Sequence, residues 1–276
     1  MQALYNGQDM KLADRSAICD FLIPSVSLMD AAAQQLSIQI RKFVEKDKKK
    51  CANILLLCGK NNNGGDGFCA SRFLSELSPT IAECYEEGST LSQDAQTYAQ
   101  VAHKMEVPFV NIYHMPKEEI TALFSRFDLI VDAIYGTGFS GEIRYEPIKT
   151  IIECVNESTL PVISVDVPSG VDSATGAIST PCIHANLTVT FAAMKMGLML
   201  YPGHEKCGQI TLADIGMPPA AIKAITPAAF ITDDEFIETH LPKRFAQSHK
   251  GSYGRALCIG GSENMKGSII MSPAKA

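Results

Sequence analysis

The 276-residue sequence lacks an apolar run of about 18 residues and an amino-terminal segment resembling a signal peptide. The first absence excludes a membrane-spanning helix. Both predict a soluble, cytoplasmic protein without a membrane partner, and a cleaved transit peptide stays open as an alternative. A strongly basic stripe is also missing: 24 Lys and Arg stand against 30 Asp and Glu, for a net charge of −6. This balance argues against nucleic acid as the main partner.

Cysteine and histidine patterns that hold a transition metal are absent as well. The nine cysteines include no C-x-x-C pair, and the six histidines show no ligand spacing. These absences exclude a zinc knuckle and a thioredoxin-type motif, so we assign no transition metal. The cysteine count is odd and several cysteines lie in apolar patterns, which predicts buried free thiols in a reducing compartment.

Several catalytic and nucleotide-binding motifs are missing too. No G-x-S-x-G elbow and no evident Cys–His pattern is present, which disfavours nucleophilic catalysis and favours acid/base catalysis by a carboxylate. No G-x-G-x-x-G opens a βα unit with an acidic residue about 20 positions further on, which argues against an ordinary NAD-dependent dehydrogenase. A Walker A loop is also absent.

The most informative segment that is present is the glycine-rich stretch from Cys58 to Gly67. It follows the mostly apolar run from Asn53 to Leu57 and precedes a helical pattern. Strand, glycine-rich turn and helix in this order bind phosphorylated nucleotides, because backbone N–H groups can approach the anion closely. The three asparagines and one aspartate of the stretch predict that it does more than bind phosphate.

Hydrophobic periodicity predicts strands that alternate with helices. The predicted strands are 53–58, 80–84, 109–113, 127–132, 161–166, 186–191 and 209–213, and the helices are 8–19, 28–44, 67–77, 92–105, 116–124 and 147–157. Several strands are continuous apolar runs, which is typical of strands buried on both faces. The predicted fold class is therefore α/β: a three-layer α/β/α, Rossmann-like, doubly wound and mostly parallel sheet.

The carboxy-terminal part of the sequence has a different character. A segment rich in Ala, Pro and Thr is followed by a helix start at Thr232 to Glu235, a strand at Arg255 to Ile259 and a Gly-Gly-Ser turn at 260–262. These features predict the beginning of a second βα domain too short to form its own core. We therefore expect a domain at 1–225 and an incomplete second domain at 226–276, from a longer protein.

Polar residues follow three of the predicted strands. Asp66, Asp132 and Asp166 lie at these strand ends, and Asp172 follows shortly after the third. Carboxyl ends of parallel strands share one edge of a sheet, so these side chains are expected at one crevice. Each also has a structural alternative as a turn residue or helix cap, which is strongest for Asp172.

Two further patterns belong to this predicted crevice. Asn63, Asp132 and Ser169 offer hard oxygen ligands from three loops, and one carboxylate with neutral oxygens suits a weakly charged cation better than zinc. The residues alone do not identify that cation. A second glycine-rich loop, Gly136 to Glu142, could close over a ligand, although such loops are common.

These segments resemble the signatures of a known family. Cys58 to Gly67, Val131 to Gly138 and Val165 to Gly176 are similar to motifs of the NAD(P)HX epimerase family, the YjeF N-terminal domain, and the resemblance covers roughly residues 1–220. It implies an isomerase that repairs nicotinamide nucleotides by interconverting the R and S forms of hydrated NADH or NADPH at C6. It also implies a homodimer formed through the amino-terminal helices.

The resemblance further implies roles for individual residues. Asp166 would be the catalytic residue, and a potassium ion would lie on Asn63, Asp132 and Ser169. The dinucleotide hydrate would bind to Asn62, Asn63, Gly64, Gly65, Asp66, Gly136, Thr137, Gly138, Phe139, Ser140, Gly141, Glu142 and Asp166.

The tail resembles the start of an ADP- or ATP-dependent NAD(P)HX dehydratase, a ribokinase-like domain, through Ser248 to Gly254 and the segment from Gly260 to Gly267. ADP or ATP would serve only that domain, and its lyase activity is expected to be absent from this sequence. An alternative function is a non-catalytic nucleotide-binding or protein-interaction scaffold on the same fold. The presence of Asn63, Asp66, Asp132 and Asp166 favours the enzyme.

Overall fold

The computed structural model describes residues 1–46 and 53–241, and beyond these 243, 245–249, 251–255, 257–262 and 267. The chain divides into two compact units. One comprises residues 2–231, and the other comprises residue 1 with 232–276. Among the helices of the described ranges, none combines the length and apolarity needed to cross a membrane.

The larger unit is built on a seven-stranded parallel sheet. Its strands are β2 (Ile54–Cys58), β3 (Pro79–Glu83), β4 (Phe109–Asn111), β5 (Leu129–Ala133), β6 (Val162–Val165), β7 (Leu187–Phe191) and β9 (Gln209–Ala213). Their order is β4-β3-β2-β5-β6-β7-β9, and every pairing is parallel. All seven predicted strands are confirmed, with ends that differ by at most two residues.

Helices cover both faces of this sheet. They are α1 (Gly7–Cys19), α2 (Ser25–Lys46), α3 (Asn62–Ser71), α4 (Gln93–Lys104), α5 (Lys117–Phe124), α6 (Glu146–Glu157) and α7 (Pro219–Lys223). Side chains of β2 alternate between the faces: Ile54 and Leu56 pack with α2, α3 and α4, and Leu55 and Leu57 pack with α5 and α6. Burial of both faces explains the continuous apolar sequence of the strand and confirms the Rossmann-like α/β class.

The predicted helix 67–77 is wrong at both ends. Helix α3 begins at Asn62, five residues earlier, and ends at Ser71, and a separate 3-10 turn spans Ser75–Leu77. Most of the glycine-rich stretch is therefore the first turns of a helix rather than a loop. The low helix propensity of Asn and Gly hid this start in the sequence.

One short α-helix and three short strands of the larger unit were not predicted. Besides α7, a small sheet joins β1 (Gln2–Tyr5) antiparallel to β10 (Ala229–Ile231) and parallel to β8 (Met194–Lys195). The strands are two to four residues long, which is too short for a periodic pattern. The pairing places β8 beside the amino terminus of α1.

The smaller unit contains helix α8 (Asp234–His240), whose cap residue Asp233 accepts a hydrogen bond from the N–H of Phe236. This confirms the helix start predicted at 232–235. The strand predicted at 255–259 is wrong for its described residues, because Arg255, Leu257, Cys258 and Ile259 lie in no strand and Ala256 lies outside the described residues. Leu257 and Ile259 are 84% and 87% exposed, so a strand there lacks a partner surface. Met265 and Lys266 also lie outside the described residues.

Candidate active site at the carboxyl edge of the sheet

A cleft of about 780 Å³ lies at the carboxyl ends of the central strands. Its walls come from α1, α2, the first turns of α3 and α4, the segment after β5, and the turn between β7 and β8. Among the predicted site residues, it is lined by Asn62, Asn63, Asp66, Gly136, Thr137, Gly138, Phe139, Ser140, Glu142 and Asp166. Chain segments far apart in sequence thus meet where an α/β sheet places its ligands.

The first turn of α3 is held against the sheet by a close backbone approach. A Cβ on Gly64 would lie 1.8 Å from the carbonyl oxygen of Gly59, so only glycine fits there. A Cβ on Gly65 would lie 2.6 Å from Met29 Cε of α2, and Gly65, like Gly64, is buried beneath the cleft rather than lining it. The two glycines therefore bring the amino end of α3 to the cleft, where its free N–H groups suit an anion.

The loop from Gly136 to Glu142 is anchored at both ends. The rings of Tyr135 and Phe139 stack with centroids 5.4 Å apart. One carboxylate oxygen of Glu142 accepts hydrogen bonds from Ser179 Oγ at 2.9 Å and from the N–H of Thr180 at 3.1 Å. These bonds lower the pKa of Glu142. The Glu142 carboxylate thus anchors the loop at the cleft edge.

Asp132 and Ser169 form a buried polar cluster beneath the cleft. Asp132 is fully buried at the end of β5, and its carboxylate accepts bonds from Ser169 Oγ (2.5 Å), Ser169 N–H (2.9 Å) and Ser164 Oγ (2.8 Å). Burial raises the pKa of Asp132, and the bonds from Ser169 and Ser164 offset part of that rise. No lysine or arginine among the described residues is recorded as its ion-pair partner.

The third residue predicted for the cation, Asn63, lies beside the same segment. A Cβ on Gly136 would be 2.6 Å from Asn63 Oδ1, and Ser169 Oγ accepts a bond from the N–H of Tyr135, the neighbour of Gly136. The buried amide nitrogen of Asn63 has no hydrogen-bond partner among the residues that the structure describes. Within the described part of the chain, no group of three or more His, Cys, Asp or Glu could hold a metal. Asn63, Asp132 and Ser169 themselves offer oxygen donors with a single carboxylate, a set that fits a weakly charged cation better than zinc.

Asp166 is paired with a buried lysine. Lys195, only 2% exposed, donates from Nζ to Asp166 Oδ1 at 2.6 Å and to the carbonyl oxygen of Phe191 at 2.7 Å. Thr190 Oγ1 donates to the same Oδ1 at 3.1 Å. The other oxygen, Oδ2, has no recorded partner among the described residues, and Asp166 lines the cleft.

Two further carboxyl groups lie near the Asp166–Lys195 pair. The pKa of Asp14, on the cleft face of α1, is raised to about 6 by desolvation and then by the charge of Asp166, while Lys195 lowers it. Desolvation, followed by the charges of Asp166 and Asp14, also raises the pKa of Asp66 well above its ordinary value. The raised pKa of Asp14 therefore brings the titration of one cleft carboxyl group close to neutral pH.

Asp172 belongs to a turn and not to the cleft. Its carboxylate accepts the N–H groups of Ala174 and Thr175 at 2.9 and 3.0 Å, which is the turn alternative stated for it. Sequence reasoning gave no role to Lys195 or Asp14. A charged residue within the otherwise apolar segment from Ala193 to Leu198 was the available indication for Lys195.

Fold and cleft together define a Rossmann-like α/β protein with a ligand site at the carboxyl edge of its sheet. The model of the family "YjeF-related protein N-terminus" matches residues 25–197. The chain belongs to this family, which confirms the resemblance found in its motifs.

Curated relatives agree with this assignment. The bifunctional NAD(P)H-hydrate repair enzyme Nnr of Moorella thermoacetica is 33% identical over 99% of this chain and 52% of its own length. The NAD(P)H-hydrate epimerase of Limosilactobacillus fermentum is 32% identical over 74% of this chain and 93% of its own. The chain thus spans about half the length of the bifunctional relatives. The crystal structure of the yeast protein ynu0 shares the fold, with a TM-score of 0.66, 23% identity and coverage of 84% of this chain and 97% of that one.

Proposed function

We propose that this protein is an NAD(P)H-hydrate epimerase, an isomerase that interconverts the R and S hydrates of NADH and NADPH at C6. The observation that carries the proposal is the Asp166 carboxylate at the cleft: Lys195 and Thr190 fix its Oδ1, and Oδ2 has no partner within the described ranges. Support comes from the family and from a relative named for this activity, which the chain matches over 93% of that relative's length.

Substrate binding uses the two glycine-rich segments. The amino end of α3, with Asn62, Asn63 and Asp66, faces one side of the cleft, and the loop from Gly136 to Glu142 faces another. Helix N–H groups bind the pyrophosphate, since they carry partial positive charge. Lys11 and Arg144 also line the cleft and can neutralise phosphate charge.

Asp166 transfers the protons of the reaction. As the C6–O bond breaks, its electron pair leaves with the hydroxyl oxygen, which takes a proton from Asp166 Oδ2 to become water. The lone pair of the ring nitrogen forms the C6–N double bond of an iminium. Water then adds to C6 on the opposite face and returns a proton to Oδ2. General acid/base catalysis of this kind contributes roughly 10²–10⁴ in rate.

The oxygen set of Asn63, Asp132 and Ser169 would hold a potassium ion. The amide oxygen of Asn63, which lies beside Gly136, and the fully buried carboxylate of Asp132 support this assignment. When bound, the cation supplies positive charge beneath the loops that carry Gly136 and Ser169. It would thus stabilise the substrate-binding loops.

The proposed function also has consequences for the cellular compartment, the oligomeric state and the second domain. The eight cysteines that the structure describes are free and six are buried, which supports a reducing, cytoplasmic compartment. Leu12, Phe21 and Leu22, at 56%, 44% and 80% exposure on and after α1, suit a homodimer contact. The dehydratase step would belong to a second domain, whose start we expected at 226–276, although 229–231 pair with β1 in the larger unit.

The decisive experiment supplies a mixture of R and S hydrates together with a separate dehydratase that consumes only the S form. After subtraction of spontaneous interconversion, the protein should accelerate consumption of the R form. A scaffold without activity would leave the R form at the spontaneous rate. Thermal shift with NADPH and AMP further separates the epimerase from a protein-interaction scaffold, because the epimerase must bind the dinucleotide or its adenylate half.

A further inference from the structure

We propose that Lys195, assisted by Thr190, is the positioning residue that assigns the two oxygens of Asp166 to different tasks. Lys195 and Thr190 hold Oδ1, so that Oδ2 alone exchanges protons with the substrate. This inference rests on the proposed epimerase function, and it concerns residues to which the sequence motifs gave no role.

Both hydrogen bonds that the Asp166 side chain accepts from described residues reach the same carboxylate oxygen. Lys195 Nζ at 2.6 Å and Thr190 Oγ1 at 3.1 Å both meet Oδ1, from two strands that follow one another in the chain. Lys195 is itself fixed by the carbonyl oxygen of Phe191 at 2.7 Å. Two donors on one oxygen restrict rotation of the carboxylate, because a turn of the group would break both bonds.

Two residues near the Asp166–Lys195 pair have unusual backbone conformations. Asp166 and Ala192 adopt left-handed conformations with φ of 65° and 63°, which residues other than glycine rarely occupy. Hydrogen bonds hold both positions: the N–H of Asp166 donates to the Val189 oxygen at 2.7 Å, and that of Ala192 to the Ala213 oxygen at 3.0 Å. Unusual backbone conformations that the surrounding structure maintains are found mainly at functional sites.

Burial of the lysine argues for a specific role. A buried ion pair is weak support for stability, since desolvation of two charges offsets their attraction. Lys195 is nonetheless 2% exposed and directed at the carboxylate that lines the cleft. The geometry therefore points to orientation of a reacting group rather than to fold stability.

The test compares three variants in the R-hydrate assay. Lys195→Met should lower kcat by about 100-fold or more and leave KM within about two-fold, because the carboxylate is misplaced while the binding loops are intact. Thr190→Val should lower kcat several-fold, about the effect of one neutral hydrogen bond. Thr188→Val is the matched control: it is the same change two residues earlier on β7, where the hydroxyl bonds to the Cys207 oxygen. Its kcat should be that of the wild type.

The outcomes separate the two proposals. An inactive wild type overturns the epimerase function and this inference with it. An active wild type with unchanged kcat in Lys195→Met, or with raised KM and unchanged kcat, overturns only the positioning role. If Lys195→Met fails to fold by circular dichroism, the Thr190→Val and Thr188→Val pair decides, and equal kcat values in those two variants would refute the proposal. Lys195→Met combined with Asp166→Asn should be no slower than Asp166→Asn alone.

Discussion

Ser169 binds both carboxylate oxygens of Asp132, through its hydroxyl at 2.5 Å and its backbone N–H at 2.9 Å. This bond pair joins the loop after β6 to the end of β5. Ser169 Oγ also accepts the N–H of Tyr135 at 2.9 Å, so the second glycine-rich loop is tied to the same point. The loops of two neighbouring strands therefore behave as one unit.

Replacement of this serine should destabilise the protein. Ser169→Ala removes the hydroxyl donor of a fully buried carboxylate and leaves the Tyr135 N–H without its acceptor. We expect a loss of about 1–3 kcal/mol in the free energy of unfolding, measured by urea denaturation. Ser125→Ala, an exposed serine that bonds to the Ala122 oxygen, is the control and should change stability little. Equal effects in the two variants would contradict a special role for Ser169.

Asp166→Asn should abolish epimerisation while the nucleotide still binds. The amide keeps the shape of the side chain and cannot shuttle a proton, so the loss should be roughly 10²-fold or more in kcat. The thermal shift with NADPH should stay close to that of the wild type. The assignment is wrong if the variant interconverts R and S hydrates at the wild-type rate above the spontaneous background.

Gly64 in the first turn of α3 permits a sharp packing test. A Cβ on Gly64 would meet the Gly59 carbonyl oxygen at 1.8 Å, a backbone atom that cannot yield as a side chain would. Gly64→Ala should cost about 3 kcal/mol, as overpacking at a rigid site does. Gly138→Ala is the control for stability, because nothing lies within 4 Å of its Cβ position. Comparable melting temperatures would refute the close approach.

The glycines of α3 also show where sequence reasoning was limited. The strands were predictable because a continuous apolar run such as Ile54 to Leu57 is typical of a strand that is buried on both faces. The start of α3 was not predictable, because Asn and Gly disfavour a helix locally, whereas its close packing on Gly59 and Met29 is visible only in the structure. Tertiary packing, which no local pattern reveals, decided this element.

The candidate site also has one part that the sequence predicts and one part that it does not. Asp132 and Ser169 could be placed together because both follow apolar strand-like runs, and parallel strands bring such ends to one edge. The pairing of Lys195 with Asp166 could not, since it depends on the left-handed turn at Ala192 and on the two-residue strand β8. Lysine in an apolar segment indicates a buried partner without identifying it.

Asp14 should make stability depend on pH in a defined direction. Its folded pKa of about 6 lies above the ordinary 3.8, so the protonated form is favoured in the folded state. Stability from this group is complete below about pH 4 and is lost as pH rises through 6. The Asp14→Asn variant escapes that loss, so its stability relative to wild type should rise between pH 4 and 7 in urea unfolding. Glu118→Gln, on the exposed surface of α5, should show no such trend; a flat difference for Asp14→Asn would contradict the raised pKa.

Potassium should stabilise the protein through the oxygen set at Asn63, Asp132 and Ser169. A ligand that binds only the folded state adds RT ln(1 + [L]/Kd), about 2.7 kcal/mol at 100 times Kd, so the melting temperature should rise with KCl relative to choline chloride at equal ionic strength. Asn63→Ala removes one proposed ligand and should abolish this potassium-specific increment. Asn111→Ala is the control, because that asparagine bonds to the Tyr85 oxygen at the end of β4, outside the proposed cation ligands. An equal response to KCl and choline chloride in the wild type would refute the cation site, and it would leave the epimerase proposal to the R-hydrate assay.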